Sequence, residues 1–148
     1  MVNVGDKEVT GRIAVTRSTI CISPELTKIL TEGTLAKGDA FTVSKTAGII
    51  AAKQTGTMIP MCHPLPVDYI NIEMELLEEI CEVRVQAEVH TTAKTGVEME
   101  AMVAASVASL TFYDMCKAVD KGIKIEKTGL YKKTGGKSGT FFNKDMEW

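Results

Sequence analysis

The sequence predicts one α+β domain in which helices cover a single antiparallel sheet, and three observations predict it. Residues 69–76 and 82–89 alternate apolar and polar side chains with period two, the pattern of strands with one wet face. Residues 95–120 repeat with helical period but carry apolar side chains on every side, so this helix must be buried. Further strand-like segments lie near both ends of the chain, at 9–22 and from Ile123. With 148 residues, 45% of them hydrophobic, the chain has enough apolar material for one packed core and is not intrinsically disordered.

The elements follow in order. Val9 to Ile22 reads as a strand in which Ile13 and Val15 share one phase and Ile20 and Ile22 the other, which predicts a bulge or break near Arg17. Ser23-Pro24-Glu25 starts a short helix with Ser23 as N-cap; Leu26, Ile29 and Leu30 form its apolar face and Gly33 ends it. A second helix follows Gly38-Asp39, with Val43, Ala47, Ile50 and Ala51 as its inward face, and fades near Gly56. Between Ile59 and Pro66 stand three of the chain's 4 prolines, which remove N–H donors and hold a rigid non-helical loop.

In the next strand Ile70, Ile72, Met74 and Leu76 oppose Tyr69, Asn71, Glu73 and Glu75. In the following one Val83, Val85, Ala87 and Val89 oppose Glu82, Arg84, Gln86 and Glu88, and the link from Leu77 to Ile80 makes the two a hairpin. The long helix spans Thr95 or Gly96 to Asp120, with Gly122 beyond its end, and a last strand starts at Ile123. A Gly- and Lys-rich tail from about Lys132 is expected to be mobile without ligand. Leaving out the first short helix, the order is β-α-β-β-α-β, that of the ferredoxin-like sandwich, in one domain spanning 1–148.

Composition excludes several roles. The 17 Lys+Arg against 19 Asp+Glu give no basic footprint for nucleic acid, and 5% aromatics give no base-stacking platform. The uncharged run from Ala101 to Tyr113 is 13 residues long, short of the roughly 20 that cross a bilayer. Cys21, Cys62, Cys81 and Cys116 form no C-x-x-C pair and, with two His, no structural zinc spacing. The opening Met1-Val-Asn-Val-Gly-Asp-Lys-Glu is not a signal peptide, so a cytoplasmic protein with reduced thiols and no bound metal is expected.

The long helix carries the main chemical candidates. Ala101, Ala105, Ala108 and Phe112 cover one side and Val103, Val107 and Leu110 the other. One sheet covers one side only; the other is expected to pack against a second subunit, the alternative being cover by the first helices. Glu98, Glu100 and Lys117 suit the helix dipole, whereas Asp114 near the C-terminus runs against it. Glu100 and Asp114 stand 14 residues apart, about 40° in azimuth and about 21 Å along the axis. They either serve opposite ends of an extended ligand or belong to one site drawn from different chains. Asp114 and Lys117, at i and i+3, can meet and form an acid–base pair.

Elsewhere, His63 is held in the Pro60/Pro64 frame, while His90 is assigned no role. Gly135-Gly136-Lys137-Ser138-Gly139 is not a Walker A loop, because Tyr131 stands five residues before Gly136. Its N–H groups with Lys132, Lys133 and Lys137 suit a polyphosphate, and a solvated basic tail is the equal alternative. Lys37-Gly38-Asp39 adds a cation before a helix N-terminus. The residues alone therefore describe an oligomer that binds an anionic small molecule beside acid–base groups.

Six stretches taken together resemble one family, the cyclic pyranopterin monophosphate synthases (molybdenum cofactor biosynthesis protein C family). They are Lys37-Gly38-Asp39, Ala47-Gly48-Ile49 with Ala51-Ala52-Lys53, Ile59 to Leu65, Thr95 to Ala101, Tyr113 to Lys121, and Gly135 to Gly139. They run in the family's order over nearly the whole chain; Met61 stands where Leu is expected before Cys-His-Pro. The resemblance implies a lyase that converts 3′,8-cyclo-7,8-dihydroguanosine 5′-triphosphate to cyclic pyranopterin monophosphate and pyrophosphate. It implies a ferredoxin-like subunit in a homohexamer, a trimer of dimers, with sites at subunit interfaces and no cofactor. Carried over, Asp114 is the catalytic carboxylate and Lys117 its acid–base partner; Met61, Cys62, His63, Met99, Glu100, Glu98, Lys37 and Lys133 contact substrate. The competing reading is a nucleotide-binding regulatory oligomer without catalysis.

Overall fold

The computed structural model describes residues 1–148. Its elements are β1 (Thr10–Cys21), α1 (Pro24–Glu32), α2 (Ala40–Lys53), α3 (Thr55–Met58), β2 (Tyr69–Leu77), β3 (Glu82–Ala93), α4 (Glu98–Cys116), β4 (Lys124–Thr134) and β5 (Phe141–Phe142). The five strands form one antiparallel sheet in the order β2-β3-β1-β4-β5. The first four occupy the positions that a ferredoxin-like arrangement gives them; β5 is an addition to the expected four.

Period-two patterning sets the sheet's faces. Val83, Val85, Ala87 and Val89 of β3 are fully buried beneath α4 and its neighbours, while Glu82, Arg84, Gln86 and Glu88 turn to the open face. In β1 the buried face is Ala14, Thr16, Ser18 and Ile20. The expected phase switch does not occur, because polar Thr16 and Ser18 stand on the core face and mimic a change of phase. Ser109 Oγ of α4 donates to Ser18 Oγ (3.0 Å), which lies 2.8 Å from Thr128 Oγ1, so these hydroxyls satisfy one another in the core. β1 pairs with β3 without interruption over twelve residues. The register shifts lie against β4, where Tyr131 and Glu126 are the extra residues, so the irregularity belongs to β4 rather than to Arg17.

Helix α1 is capped as expected: Ser23 Oγ accepts from Leu26 N (3.2 Å) and Gly33 closes the helix at φ 67°. Helix α2 turns a different face inward. Its buried line is Ala40, Ser44, Gly48, Ala51 and Ala52, while Val43 and Ile50 are exposed. Small side chains let α2 approach α4 closely: a Cβ on Gly48 would lie 2.7 Å from the Ala104 carbonyl oxygen and 3.2 Å from Ala108 Cβ. The 3.6-residue period locates an apolar stripe, but here backbone approach, not side-chain size, selects the face.

Helix α4 ends at Cys116, four residues before the expected Asp120. The Val119 and Asp120 N–H groups both turn back to the Cys116 carbonyl, and the Asp120 carboxylate accepts from Ser23 N (2.7 Å) and Gly122 N (2.8 Å). That carboxylate ties the turn to the start of α1 instead of prolonging the helix. On α4, Ala101, Ala104, Ala105, Ala108, Ser109 and Phe112 are buried. The first helices cover one flank, with Phe41 and Phe112 rings 5.7 Å apart, yet Met99 and Leu110 stay exposed. Lys132–Thr134, expected in the tail, belong to β4, and the chain returns through a glycine-rich turn to β5. No helix is long and apolar enough to cross a membrane.

Candidate active site

Helix α4 carries a cluster of ionisable and polar side chains at each end. At its N-terminus, a cleft of about 250 Å³ is lined by Met61, Cys62, His63 and Leu65 of the proline-rich loop and by Thr95, Gly96, Glu98, Met99 and Glu100. The loop is held from both sides. Ile59 N donates to Thr55 O (2.9 Å) and Cys62 N to Ile59 O (3.0 Å), while at the exit Asp68 N donates to His90 O (2.9 Å). Met61, Cys62, His63, Met99, Glu100 and Glu98 are thus brought together in one cleft.

A smaller recess adjoins the cleft through Gly96 and Glu98 and is walled by Arg12, Lys133, Gly135 and Ser138. Lys133 Nζ donates to Glu98 Oε1 at 2.9 Å. Burial pushes the Glu98 carboxyl up, but the Lys133 hydrogen bond, its own backbone N–H and the charges of Lys133 and Arg12 outweigh this and hold it below the usual range. Glu100 is the reverse case: it is 4% exposed, and burial, with the nearby Glu98 charge, raises its pKa against its own backbone N–H. Two carboxylates two residues apart are therefore pushed in opposite directions, the arrangement that separates a proton donor from an acceptor. Burial, then the Glu100 charge, raises the Cys62 thiol, so Cys62 is a neutral contact and not a thiolate nucleophile.

Arg12 is the site residue that sequence reasoning missed. Its guanidinium lies under the glycine turn, where a side chain on Gly136 (φ 72°) would collide with it, and its Nε is buried without a partner. Position in a strand concealed it: Arg12 reads as an ordinary strand residue until β4 brings Lys133 and Gly135 alongside. Of the three tail lysines, Lys133 faces the recess, Lys132 lies 5.4 Å over the Phe142 ring, and Lys137 is exposed on the turn.

At the other end of α4, Asp114 sits between two ammonium groups. Lys117 Nζ is 2.7 Å from Oδ1; Lys37 Nζ is 2.9 Å from Oδ2 and also donates to the Asp114 carbonyl at 2.7 Å. The two cations offset the helix dipole that a C-terminal carboxylate would otherwise oppose. Lys37 reaches from the loop between α1 and α2, which Gly38 (φ 91°) turns toward α4. The hydrogen bonds and charges of Lys117 and Lys37 lower the Asp114 pKa to about 2, and Asp114 in turn raises Lys117. At neutral pH the cluster is a carboxylate flanked by protonated lysines. Lys37, Asp114 and Lys117 are thus brought together, but α4 separates them from the cleft by about 1.5 Å per residue over fourteen residues, roughly 21 Å.

A surface depression of about 640 Å³ lies elsewhere, around Thr19, Arg84, Met146 and Trp148. It holds none of the clustered acid–base or tail-lysine groups. No three His, Cys, Asp or Glu side chains are placed to hold a metal ion.

The chain thus brings together a cationic recess, a cleft with two unlike carboxylates and an ammonium-clamped aspartate. Residues 1–136 match the MoaC family model. The chain is 45% identical over 147 residues to the cyclic pyranopterin monophosphate synthase of Thermomicrobium roseum, covering 99% of this chain and 89% of that protein. It is 51% identical over 141 residues to that of Brevibacillus brevis (95% and 88%) and 48% over 146 residues to that of Lysinibacillus sphaericus (97% and 91%). The chain belongs to the MoaC family.

Proposed function

We propose that this chain is a lyase that converts 3′,8-cyclo-7,8-dihydroguanosine 5′-triphosphate to cyclic pyranopterin monophosphate and pyrophosphate. The observation that carries this reading is the near full-length similarity to synthases of that name, at 45–51% identity in the three relatives above. Building the pterin ring moves several protons among ring nitrogens and sugar oxygens, and this is work for Asp114, Lys117 and His63. Asp114 and Lys117, 2.7 Å apart, are the acid–base pair of this reading, with Asp114 resting as the carboxylate. Closing the cyclic phosphate breaks the bond between the α and β phosphates, and pyrophosphate departs with its electron pair. Lys37 and Lys133, with Arg12 beside Lys133, neutralise that leaving charge.

The two clusters of one chain, roughly 21 Å apart along α4, are too far apart to act on one compact ring system. The reading therefore places the N-terminal cleft of one subunit against the Asp114 cluster of another, in a homohexamer of three dimers. The exposed Val43, Ile50 and Leu110 on the helical layer supply apolar surface for such contacts. The test is incubation with the cyclised GTP derivative and measurement of pyrophosphate. The wild type should release it, and Asp114→Asn should not. Binding of GTP without turnover of the cyclised substrate would instead support a regulatory nucleotide-binding protein.

A further inference from the structure

We propose that Arg17 and Trp148 are positioning residues that set the affinity of the cationic recess through the β4–β5 hairpin; the substrate side of this proposal rests on the function given above. Lys133, which meets Glu98 in the recess, is paired in register with Phe141 of β5, and Lys132 with Phe142. The intervening turn puts Gly135 and Ser138 in the recess wall and lays Gly136 against the Arg12 guanidinium. A strand of two residues, both exposed, does not hold such a turn by itself.

What holds it lies on the open face of the sheet. After β5, Asn143 N donates to Tyr131 O (2.8 Å), and Lys127 Nζ donates to Asp145 O (2.6 Å). Met146, 6% exposed, packs on Gly129. Arg17 fastens the end of the chain. Its guanidinium lies 3.5 Å over the Tyr131 ring centroid and 4.3 Å from that of Trp148. It donates to Met146 O (3.1 Å) from one nitrogen and to Gln86 Oε1 (2.9 Å) from Nε. A planar cation between two rings, with both hydrogen-bonding edges used, is a clamp that lysine does not reproduce. Arg17 is five residues along β1 from Arg12, roughly 16 Å at the strand rise, so it touches nothing in the recess. Opening the clamp frees β5, and the turn and Lys133 lose their fixed place, while the Asp114 cluster is unchanged. The expected signature is a weaker hold on the phosphate end, in the substrate and in the departing pyrophosphate alike.

The experiment compares steady-state turnover of the cyclised GTP derivative, and equilibrium binding of pyrophosphate, in the wild type, Trp148→Ala, Trp148→Phe and Arg17→Lys. Trp148→Ala and Arg17→Lys should raise the pyrophosphate Kd and lower kcat/KM, each on the order of tenfold, as loss of a supporting outer shell does. Trp148→Phe, which keeps a ring over the guanidinium, should restore both values to within about twofold of wild type. Unchanged kcat/KM and Kd in folded Trp148→Ala or Arg17→Lys, a fall in kcat/KM at unchanged pyrophosphate Kd, or no recovery in Trp148→Phe overturns the proposal. A wild type that binds pyrophosphate but releases none from the cyclised substrate refutes the proposed reaction instead, and the Kd comparison still decides the clamp.

Discussion

Asp114 and Glu100 show how differently one helix can treat two carboxylates. Asp114 is exposed and held ionised by Lys117 and Lys37; Glu100 is buried and pushed toward its neutral form. Followed by carbon-detected NMR, the Asp114 carboxyl should titrate near pH 2, and in Lys117→Ala it should move back toward the unperturbed 3.8. A titration near 4 in the wild type would contradict the clamp. The sign for stability follows: a depressed carboxyl stabilises the fold above the unfolded pKa of 3.8, and the contribution fades as pH falls through about 2. Lys117, being raised, adds stability that is full below the ordinary lysine value of 10.5 and lost as pH rises through its higher folded value. At this scale most of the site was legible: Asp114 stood out against the dipole, and Lys117 lay one turn away. Lys37 as a second partner of Asp114 was not legible from spacing, because 77 residues separate them and only the packing of α2 beside α4 closes the gap.

Among elements, the α2–α4 contact makes the most specific demand on sequence. Gly48→Val would drive a branched side chain into Ile72 and the Ala104 carbonyl, and overpacking of this kind costs about 1–3 kcal/mol. Urea unfolding followed by circular dichroism measures it, and an unchanged midpoint would mean that α2 sits farther out. The glycine turn carries a second demand. Gly136→Ala would put a methyl group onto Arg12 at a positive φ, so pyrophosphate affinity should fall on the order of tenfold, as when an outer-shell support is lost. Isothermal titration calorimetry would show it, and undiminished affinity would remove the turn from the recess. The boundaries of β1 and β2 and the α1 caps were readable because propensity, capping and alternation agree there, whereas the end of β4 and the whole of β5 were not. The faces of β1 and α2 were not: Thr16 and Ser18 are polar yet buried, whereas Val43 and Ile50 are apolar yet exposed.

For the whole molecule, the proposed pairing of clusters across subunits makes two predictions. Light scattering at micromolar concentration should give a multiple of the 16.0 kDa chain mass, and the monomer value would refute the assembly. Asp114→Asn and Glu100→Gln should each be inactive alone but regain pyrophosphate release when co-expressed, because mixed interfaces rebuild some intact sites. No recovery in verified mixed oligomers would place both residues in one chain's site.

The sequence by itself determined the α+β class, the period-two strands, the buried helix and the residue types of both clusters. Local pattern and capping act over a few residues and need no knowledge of what packs where. Tertiary structure alone decided which groups meet: Lys37 with Asp114, Lys133 with Glu98, Arg12 with the glycine turn, and Trp148 with Arg17. Each pair joins positions far apart along the chain, and a contact of that kind exists only once the sheet's strand order and the α2–α4 packing have been set.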